Sequence, residues 1–153
     1  SCQGSGVNIG NLLKNSWVCC CNRRDLNHSG PQWGGAIGCS ISRIATELQL
    51  RPQLYLQLKL LPDANKGGLE PEALEAQWPS LQALPSLQWQ GVMLIPPLGL
   101  SDVELQQLFC AGARWADQLG LPGRSMGMSR DWPLAVRCGS RIVRVGSSLF
   151  GAD

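Results

Sequence analysis

Residues 124–151, RSMGMSRDWPLAVRCGSRIVRVGSSLFG, decide the fold, because they read as two strand–turn–helix units in succession. In the first unit a strand ends at Met128, and Ser129 opens the turn before a short helix. In the second unit a strand ends just before Gly146 and Ser147. Small residues after each strand let backbone N–H groups approach a ligand, and the unpaired N–H groups of a following helix favour a phosphate. Two such turns side by side predict one anion pocket.

Helices and strands alternate upstream of this stretch, from residue 40 onward. The predicted elements are a helix from Ser40 or Ser42 to about Leu50, a strand over 54–60, a helix from Glu70, a strand over 87–95 and a helix from Ser101 to Leu119. Strict alternation with short links is typical of a parallel sheet. Together with the strands 124–128 and 141–145, it predicts an α/β fold with four parallel strands and the helices on one side.

Two local patterns support this assignment. Ser101 and Glu104 have the spacing of a capping box, which marks a helix start. The strand 54–60 alternates leucines, predicted to face the helices, with Tyr55, Gln57 and Lys59 on the other face. An antiparallel strand with one solvent-exposed face would show the same alternation of leucine and polar residues.

The motifs of the opening stretch carry a resemblance to a known family. SMGMS at 125–129, DxxxAV at 131–136 and VRVGSxLFG at 143–151 resemble the C-terminal signature of the pyridoxal-phosphate homeostasis proteins, the YggS and PROSC type. GVMLIPP at 91–97 and NKGG at 65–68 add support, so that the resemblance covers about residues 40–151.

The family is a (β/α)8 barrel of the alanine-racemase type that holds pyridoxal 5′-phosphate (PLP). A whole barrel needs at least about 200 residues, and this chain has 153. The resemblance therefore implies a partial (β/α)8 TIM-type barrel, the second half of the family's fold.

The resemblance also implies a PLP site at the loops after strands 7 and 8, where such barrels bind phosphate. Its expected cofactor-binding residues are Met128, Ser129, Arg144, Gly146 and Ser147. Arg144 would face the ring nitrogen. Because a guanidinium keeps its proton, it favours an unprotonated ring nitrogen and weakens the ring as an electron sink. Two alternatives stay open: Ser129 or Asp131 simply caps the short helix, and Arg144 is a surface arginine.

The lysines depart from the family pattern. The family's Schiff-base lysine lies on strand 1 in an Ala-Val-Ser-Lys pattern, which this sequence lacks; its lysines are Lys14, Lys59 and Lys66. Lys66 lies in a loop that resembles the family's loop after strand 5, and we expect an exposed loop lysine. Lys59 is the only substitute with suitable geometry. We therefore predict contacts to PLP through its phosphate and ring nitrogen alone, with no catalytic residue.

Residues 1–38 differ from the rest of the chain. They show no helix or strand period, and we predict a poorly ordered lead segment before a PLP-binding half-barrel over 39–153. A zinc site is one interpretation of the metal-ligand residue types in this segment, which are Cys19, Cys20, Cys21 and His28. Three adjacent cysteines cannot all face one ion without strain, so we predict no metal site.

Composition limits the function classes. The hydrophobic content of 44% and charged content of 16% are typical of a globular protein. No apolar run is long enough to span a membrane, no signal-peptide pattern is present, and a net charge of +2 is too small to indicate nucleic-acid binding. The seven cysteines, with Cys110 and Cys138 isolated in the barrel-like part, favour reduced thiols and a cytoplasmic location.

The sequence thus predicts a PLP-binding protein that holds or delivers PLP in intracellular PLP homeostasis, and not an enzyme. One alternative is a non-functional truncated or frame-shifted fragment of the family. A less favoured one is an alanine-racemase-like PLP enzyme, which needs a catalytic tyrosine from a second domain, whereas Tyr55 is the only tyrosine here. The strand edges of a partial barrel would also allow self-association.

Overall fold

The computed structural model describes residues 18–20, 33–63, 65–128 and 130–146. Strands and helices alternate throughout these ranges. In chain order they are β1 (Val18–Cys20), α1 (Trp33–Glu47), β2 (Gln53–Leu58), α2 (Pro71–Gln82), β3 (Gln88–Leu94), α3 (Asp102–Gln118), β4 (Gly123–Met128), α4 (Trp132–Arg137) and β5 (Ile142–Arg144).

The strands form one parallel sheet of five, in the order β1-β2-β3-β4-β5. Each strand pairs with the next one along the chain, and the strand order never reverses as it would in a doubly wound sheet. This is the topology of an arc of a (β/α)8 barrel. The predicted α/β alternation with four parallel strands, β2 to β5, is confirmed.

The hydrophobic core lies between one face of the sheet and the helices. Leu56 and Leu58 of β2 belong to it, so the predicted leucine face of this strand does meet the helices. The other fully buried large side chains of this core are Leu74, Leu81, Val92, Leu94, Phe109 and Met126. The parallel pairing of β3 with β4 brings their carboxyl ends to the same edge of the sheet.

The opposite face of the sheet is packed at the amino-terminal ends of β3 and β4. Tyr55 is 6% exposed, and a Cβ added to Gly123 would lie 2.6 Å from its hydroxyl oxygen. A Cβ on Gly91 would lie 2.1 Å from the carbonyl oxygen of Gly123. Burial raises the pKa of the Tyr55 hydroxyl above its usual value, and the positive charge of Arg141 opposes that rise. The tyrosine ring therefore occupies space that Gly123 leaves.

Helix α3 begins as the sequence predicts. The Ser101 hydroxyl accepts a hydrogen bond from the Glu104 N–H, and the Glu104 carboxylate accepts one from the Ser101 N–H at 2.8 Å. The Ser101 hydroxyl also donates to the Glu104 carboxylate at 2.7 Å, and this side-chain hydrogen bond, followed by the one from the Ser101 N–H, lowers the pKa of Glu104. The predicted capping box is confirmed, and it sets where the loop after β3 ends.

The amino-terminal part of the chain differs from the prediction. Helix α1 begins at Trp33 rather than at Ser40 or Ser42, and β1 lies within residues 1–38, where neither helix nor strand was predicted. A three-residue strand is too short to show a period, and its pairing with β2 stabilises it. Helix α1 packs on α2 because Gly38 is small: a Cβ there would lie 2.7 Å from Leu81 Cδ2.

A disulfide joins Cys110 in α3 to Cys138, directly after α4. The prediction that these cysteines are reduced thiols is therefore wrong for this structure. The two residues are 28 positions apart, and only the side-by-side packing of α3 and α4 brings them together.

No helix in the described part of the chain is long and apolar enough to cross a lipid bilayer. Over the same residues, no group of three or more His, Cys, Asp or Glu side chains could hold a metal ion. Cys21 and His28, which belong to the zinc interpretation, lie outside the described residues.

Candidate functional site

The carboxyl ends of β4 and β5 lie side by side. Met128 pairs with Arg144 in the parallel register, and Gly146 follows two positions later. The structure thus brings together three of the five residues predicted to bind the cofactor. Ser129 and Ser147 lie outside the described residues.

The turn after β4 is shaped by a glycine and an aspartate. Gly127 has φ +94°, and a Cβ there would lie 2.7 Å from Ala135 Cβ and 2.9 Å from Trp132 Cα. Helix α4 consequently packs directly on the end of β4. The N–H of Met128 donates to Asp131 Oδ1 at 2.5 Å. Asp131 stands at the N-cap of α4 but makes no capping hydrogen bond to it, so its carboxylate closes the turn instead.

Ser140 sets the start of β5, a role that sequence reasoning missed. Its hydroxyl oxygen lies 2.7 Å from Met126 O and accepts a hydrogen bond from Met126 N at 3.2 Å. The register of β4 on β5 is irregular between Ser125 and Met128, beside this contact. A small polar residue immediately after Gly139, which ends α4 with φ +87°, was the available signal.

The Arg144 side chain reaches across the end of β4. Its Nη2 donates to the carbonyl oxygen of Leu94, the last residue of β3, at 2.7 Å. The guanidinium is thereby held over the carboxyl ends of the central strands. Arg141 is exposed, and its positive charge acts on the pKa of Tyr55, while Arg124 binds Asp117 on α3.

The loop after β2 folds over the end of that strand. Gln57 Nε2 donates to Gly67 O at 2.6 Å, and Lys59 Nζ lies 3.2 Å from a carboxylate oxygen of Glu70. Lys66 donates to the carbonyl oxygen of Pro96 in the next loop. The Lys66 side chain is only 24% exposed, so the expectation of an exposed loop lysine is wrong; the loop folds inward because this ammonium finds a backbone acceptor.

A small cavity lies beside this loop. Its lining includes Lys59, Lys66, Leu94 and Leu108, and its volume is about 10 Å³. Such a volume holds about one water molecule. It is too small for a cofactor.

Several known proteins resemble this chain in sequence. No family model matches the chain. The pyridoxal phosphate homeostasis protein of Synechocystis sp. strain PCC 6803 is 42% identical over 122 residues, which are 76% of this chain and 56% of the relative. The protein of the same name from Schizosaccharomyces pombe is 35% identical over 111 residues, 69% of this chain and 47% of the relative. This chain is a relative of the pyridoxal phosphate homeostasis proteins. It spans about half the length of the curated relatives it matches.

Solved structures resemble this chain as well. PipY of Synechococcus elongatus PCC7942, solved with PLP bound, superposes with a TM-score of 0.72 at 46% identity, covering 76% of this chain and 57% of PipY. Diaminopimelate decarboxylase from M. jannaschii has a TM-score of 0.62 at 12% identity, covering 74% and 37%, and shares the fold alone. The predicted resemblance and the partial-barrel fold class are both confirmed.

Proposed function

We propose that this chain binds PLP at the carboxyl ends of β4 and β5 and holds or delivers it in intracellular PLP homeostasis. One observation carries the proposal: the register sets Met128 opposite Arg144, so the strand ends that precede both predicted turns lie at one edge of the sheet. The relatives named for PLP homeostasis, and the PLP bound to PipY, give the ligand class. A cytoplasmic location stays a prediction.

The phosphate would lie between the turn after Met128 and the turn at Gly146. The first turn begins at Met128, whose N–H donates to Asp131 Oδ1. At the second turn, Gly146 is exposed, and a Cβ built on it meets no atom within 4 Å. An approaching anion therefore finds open space at this glycine. Ser129 and Ser147 are the proposed hydroxyl donors to the phosphate.

Arg144 is the proposed partner of the ring nitrogen. Leu94 O holds the guanidinium near the ends of β3 to β5, where a bound ring would meet a permanent cation. PLP supplies an aldehyde and an electron-accepting ring when bound; a cationic partner at the nitrogen reduces that electron demand. Such a site suits storage or delivery, so the proposal includes no catalytic residue and no racemase chemistry.

Replacing Gly146 by valine is expected to weaken binding of pyridoxamine 5′-phosphate about 100-fold. The valine side chain would occupy the space proposed for the phosphate, and charge-assisted hydrogen bonds to it are worth roughly 1.5–3 kcal/mol each. Pyridoxamine 5′-phosphate is the better probe because it lacks the aldehyde that reacts with any lysine. Isothermal calorimetry measures the affinity.

The control is Gly120→Ala, at an exposed glycine in the α3–β4 link that also has open space around it. It should bind as the unaltered chain does. Equal affinity for Gly146→Val and the unaltered chain would contradict this phosphate site. An unaltered chain with no saturable binding would instead favour the alternative of a non-functional fragment.

A second prediction is that no single lysine of this chain attaches to PLP stoichiometrically. A specific attachment needs an amine held beside the aldehyde, since correct orientation is worth on the order of 7–11 kcal/mol. Lys59 is instead paired with Glu70, and Lys66 with Pro96 O and Asp63. Borohydride reduction with PLP, followed by peptide mapping, should find dispersed, substoichiometric labelling. Stoichiometric labelling of one lysine would refute the prediction, and Lys59→Arg would test whether Lys59 is that residue.

A further inference from the structure

We propose that Cys110 and Cys138 form a thiol-exchange site whose oxidation state sets the ligand affinity of the β4–β5 site. The inference rests on the proposed function, because it concerns regulation of that same site. In the oxidised state the disulfide fixes α4, which connects the two ligand-binding turns. In the reduced state α4 is held less firmly, and phosphate-containing ligands bind more weakly.

The position of the disulfide is the first observation. Cys138 directly follows α4, and the disulfide joins it to the middle of the much longer α3. Helix α4 runs from Trp132 to Arg137, and a helix of this length is not stable without tertiary contacts. Gly127 packs on its body. The covalent bond therefore anchors the end from which the chain enters β5.

The surroundings of Cys138 are the second observation. Its Sγ lies 3.4 Å from the carbonyl oxygen of Gln106, one turn before Cys110 on α3. A thiol can donate a hydrogen bond to that oxygen, whereas a disulfide sulfur has no hydrogen to donate. Cys138 Sγ consequently has a partner in both states: Gln106 O when it is reduced and Cys110 Sγ when it is oxidised. Cys138 is 9% exposed and Cys110 is half-buried, so a small reductant would attack at Cys110.

The exchange reaction is balanced by a dithiol reductant. A reductant thiolate attacks Cys110 Sγ, the Cys110–Cys138 bond breaks, and Cys138 leaves as a thiolate that takes a proton from water. The second reductant thiol then closes on the mixed disulfide and releases Cys110. Two electrons and two protons pass to the cysteine pair, and the reductant becomes a disulfide.

Reduction replaces the covalent bond at the end of α4 by weaker links, one of which is the Cys138 thiol hydrogen bond to Gln106 O. Arg124 Nη1 donates to Gly139 O at 3.4 Å, and the Ser140 hydroxyl contacts the backbone of β4. These contacts keep β5 in the sheet but place fewer constraints on α4. Asp131, which closes the first turn at the other end of α4, would then hold Met128 N–H in a smaller fraction of molecules. Ligand affinity falls accordingly.

The test measures pyridoxamine 5′-phosphate affinity in the full chain, before and after reduction by dithiothreitol. This probe is required because thiols add to the aldehyde of PLP. We expect affinity about fivefold or more weaker after reduction, the lower end of ordinary allosteric coupling. Cys110→Ser should bind as the reduced chain does and should not respond to dithiothreitol. Cys39→Ser, at an exposed free cysteine, should respond as the unaltered chain does.

Linkage supplies a second measurement. Half of the Cys110–Cys138 pair is reduced at some ratio of reduced to oxidised dithiothreitol. If oxidation tightens ligand binding by a given factor, saturating ligand must raise that ratio by the same factor. Alkylation and mass spectrometry of Cys110 and Cys138 give that ratio. Equal affinity in both oxidation states, or a ratio indifferent to ligand, would overturn this inference and leave the proposed function intact. Absence of binding in either state would remove the proposed function, and the inference with it.

Discussion

Gly91→Ala is expected to lower the free energy of unfolding by more than about 3 kcal/mol, the upper end of the range for overpacked cores. The added Cβ would lie 2.1 Å from the carbonyl oxygen and 2.4 Å from the carbonyl carbon of Gly123. Both are backbone atoms of the neighbouring strand, so no side-chain rotation can relieve the contact. The strands β3 and β4 would have to separate where Tyr55 already fills the space beside them.

Urea unfolding followed by circular dichroism measures this loss, which is a large part of the ~5–15 kcal/mol of a typical domain. Gly99→Ala is the matched control, because its Cβ would meet nothing within 4 Å. Gly99 has φ +85°, so the control should lose only about 1–2 kcal/mol of backbone strain. Similar losses for Gly91→Ala and Gly99→Ala would show that the two strands are not in the close register described.

Gly127→Ala is expected to cost about 2–5 kcal/mol of stability and to weaken ligand binding as well. The left-handed backbone, φ +94°, accounts for about 1–2 kcal/mol. The contacts of the new Cβ with Ala135 Cβ at 2.7 Å and Trp132 Cα at 2.9 Å account for about 1–3 kcal/mol more. Because α4 must move away from β4, Asp131 would no longer reach the Met128 N–H.

Gly120→Ala separates the two causes, because Gly120 shares the left-handed conformation, φ +68°, and has open space around it. Urea unfolding gives the stability of both variants, and calorimetry with pyridoxamine 5′-phosphate gives the affinities. Gly120→Ala should lose only the backbone strain and should keep its affinity. If Gly127→Ala loses no more stability than Gly120→Ala and binds equally well, the packing of α4 does not shape the site.

The strands and helices after residue 50 could be predicted because each carries its own local signal. The leucines of β2 alternate, Ser101 and Glu104 form a capping box, and Gly120 and Gly139 end their helices with positive φ. These signals depend on short-range hydrogen bonding and on a side-chain period, and both involve only residues that are close together in the sequence. The alternation then implies a parallel sheet.

The amino-terminal elements could not be predicted for the opposite reason. Strand β1 is too short for a period and depends on pairing with β2, and α1 extends back through a glycine-rich stretch that local propensity disfavours. Gly38 lowers helix propensity but allows close approach to Leu81. Tertiary packing therefore stabilises α1 as a helix although its local sequence disfavours one.

Within the candidate site, the sequence by itself determined the residue types: Met128, Arg144 and Gly146 could be named as candidates from the motifs that carry the family resemblance. Only the tertiary structure decided what these residues contact. Leu94 O holds Arg144, Asp131 closes the turn at Met128, Pro96 O binds Lys66, and α3 and α4 join Cys110 to Cys138. Most of these partners come from other parts of the chain, and such contacts form only when the sheet has brought its strand ends and covering helices together.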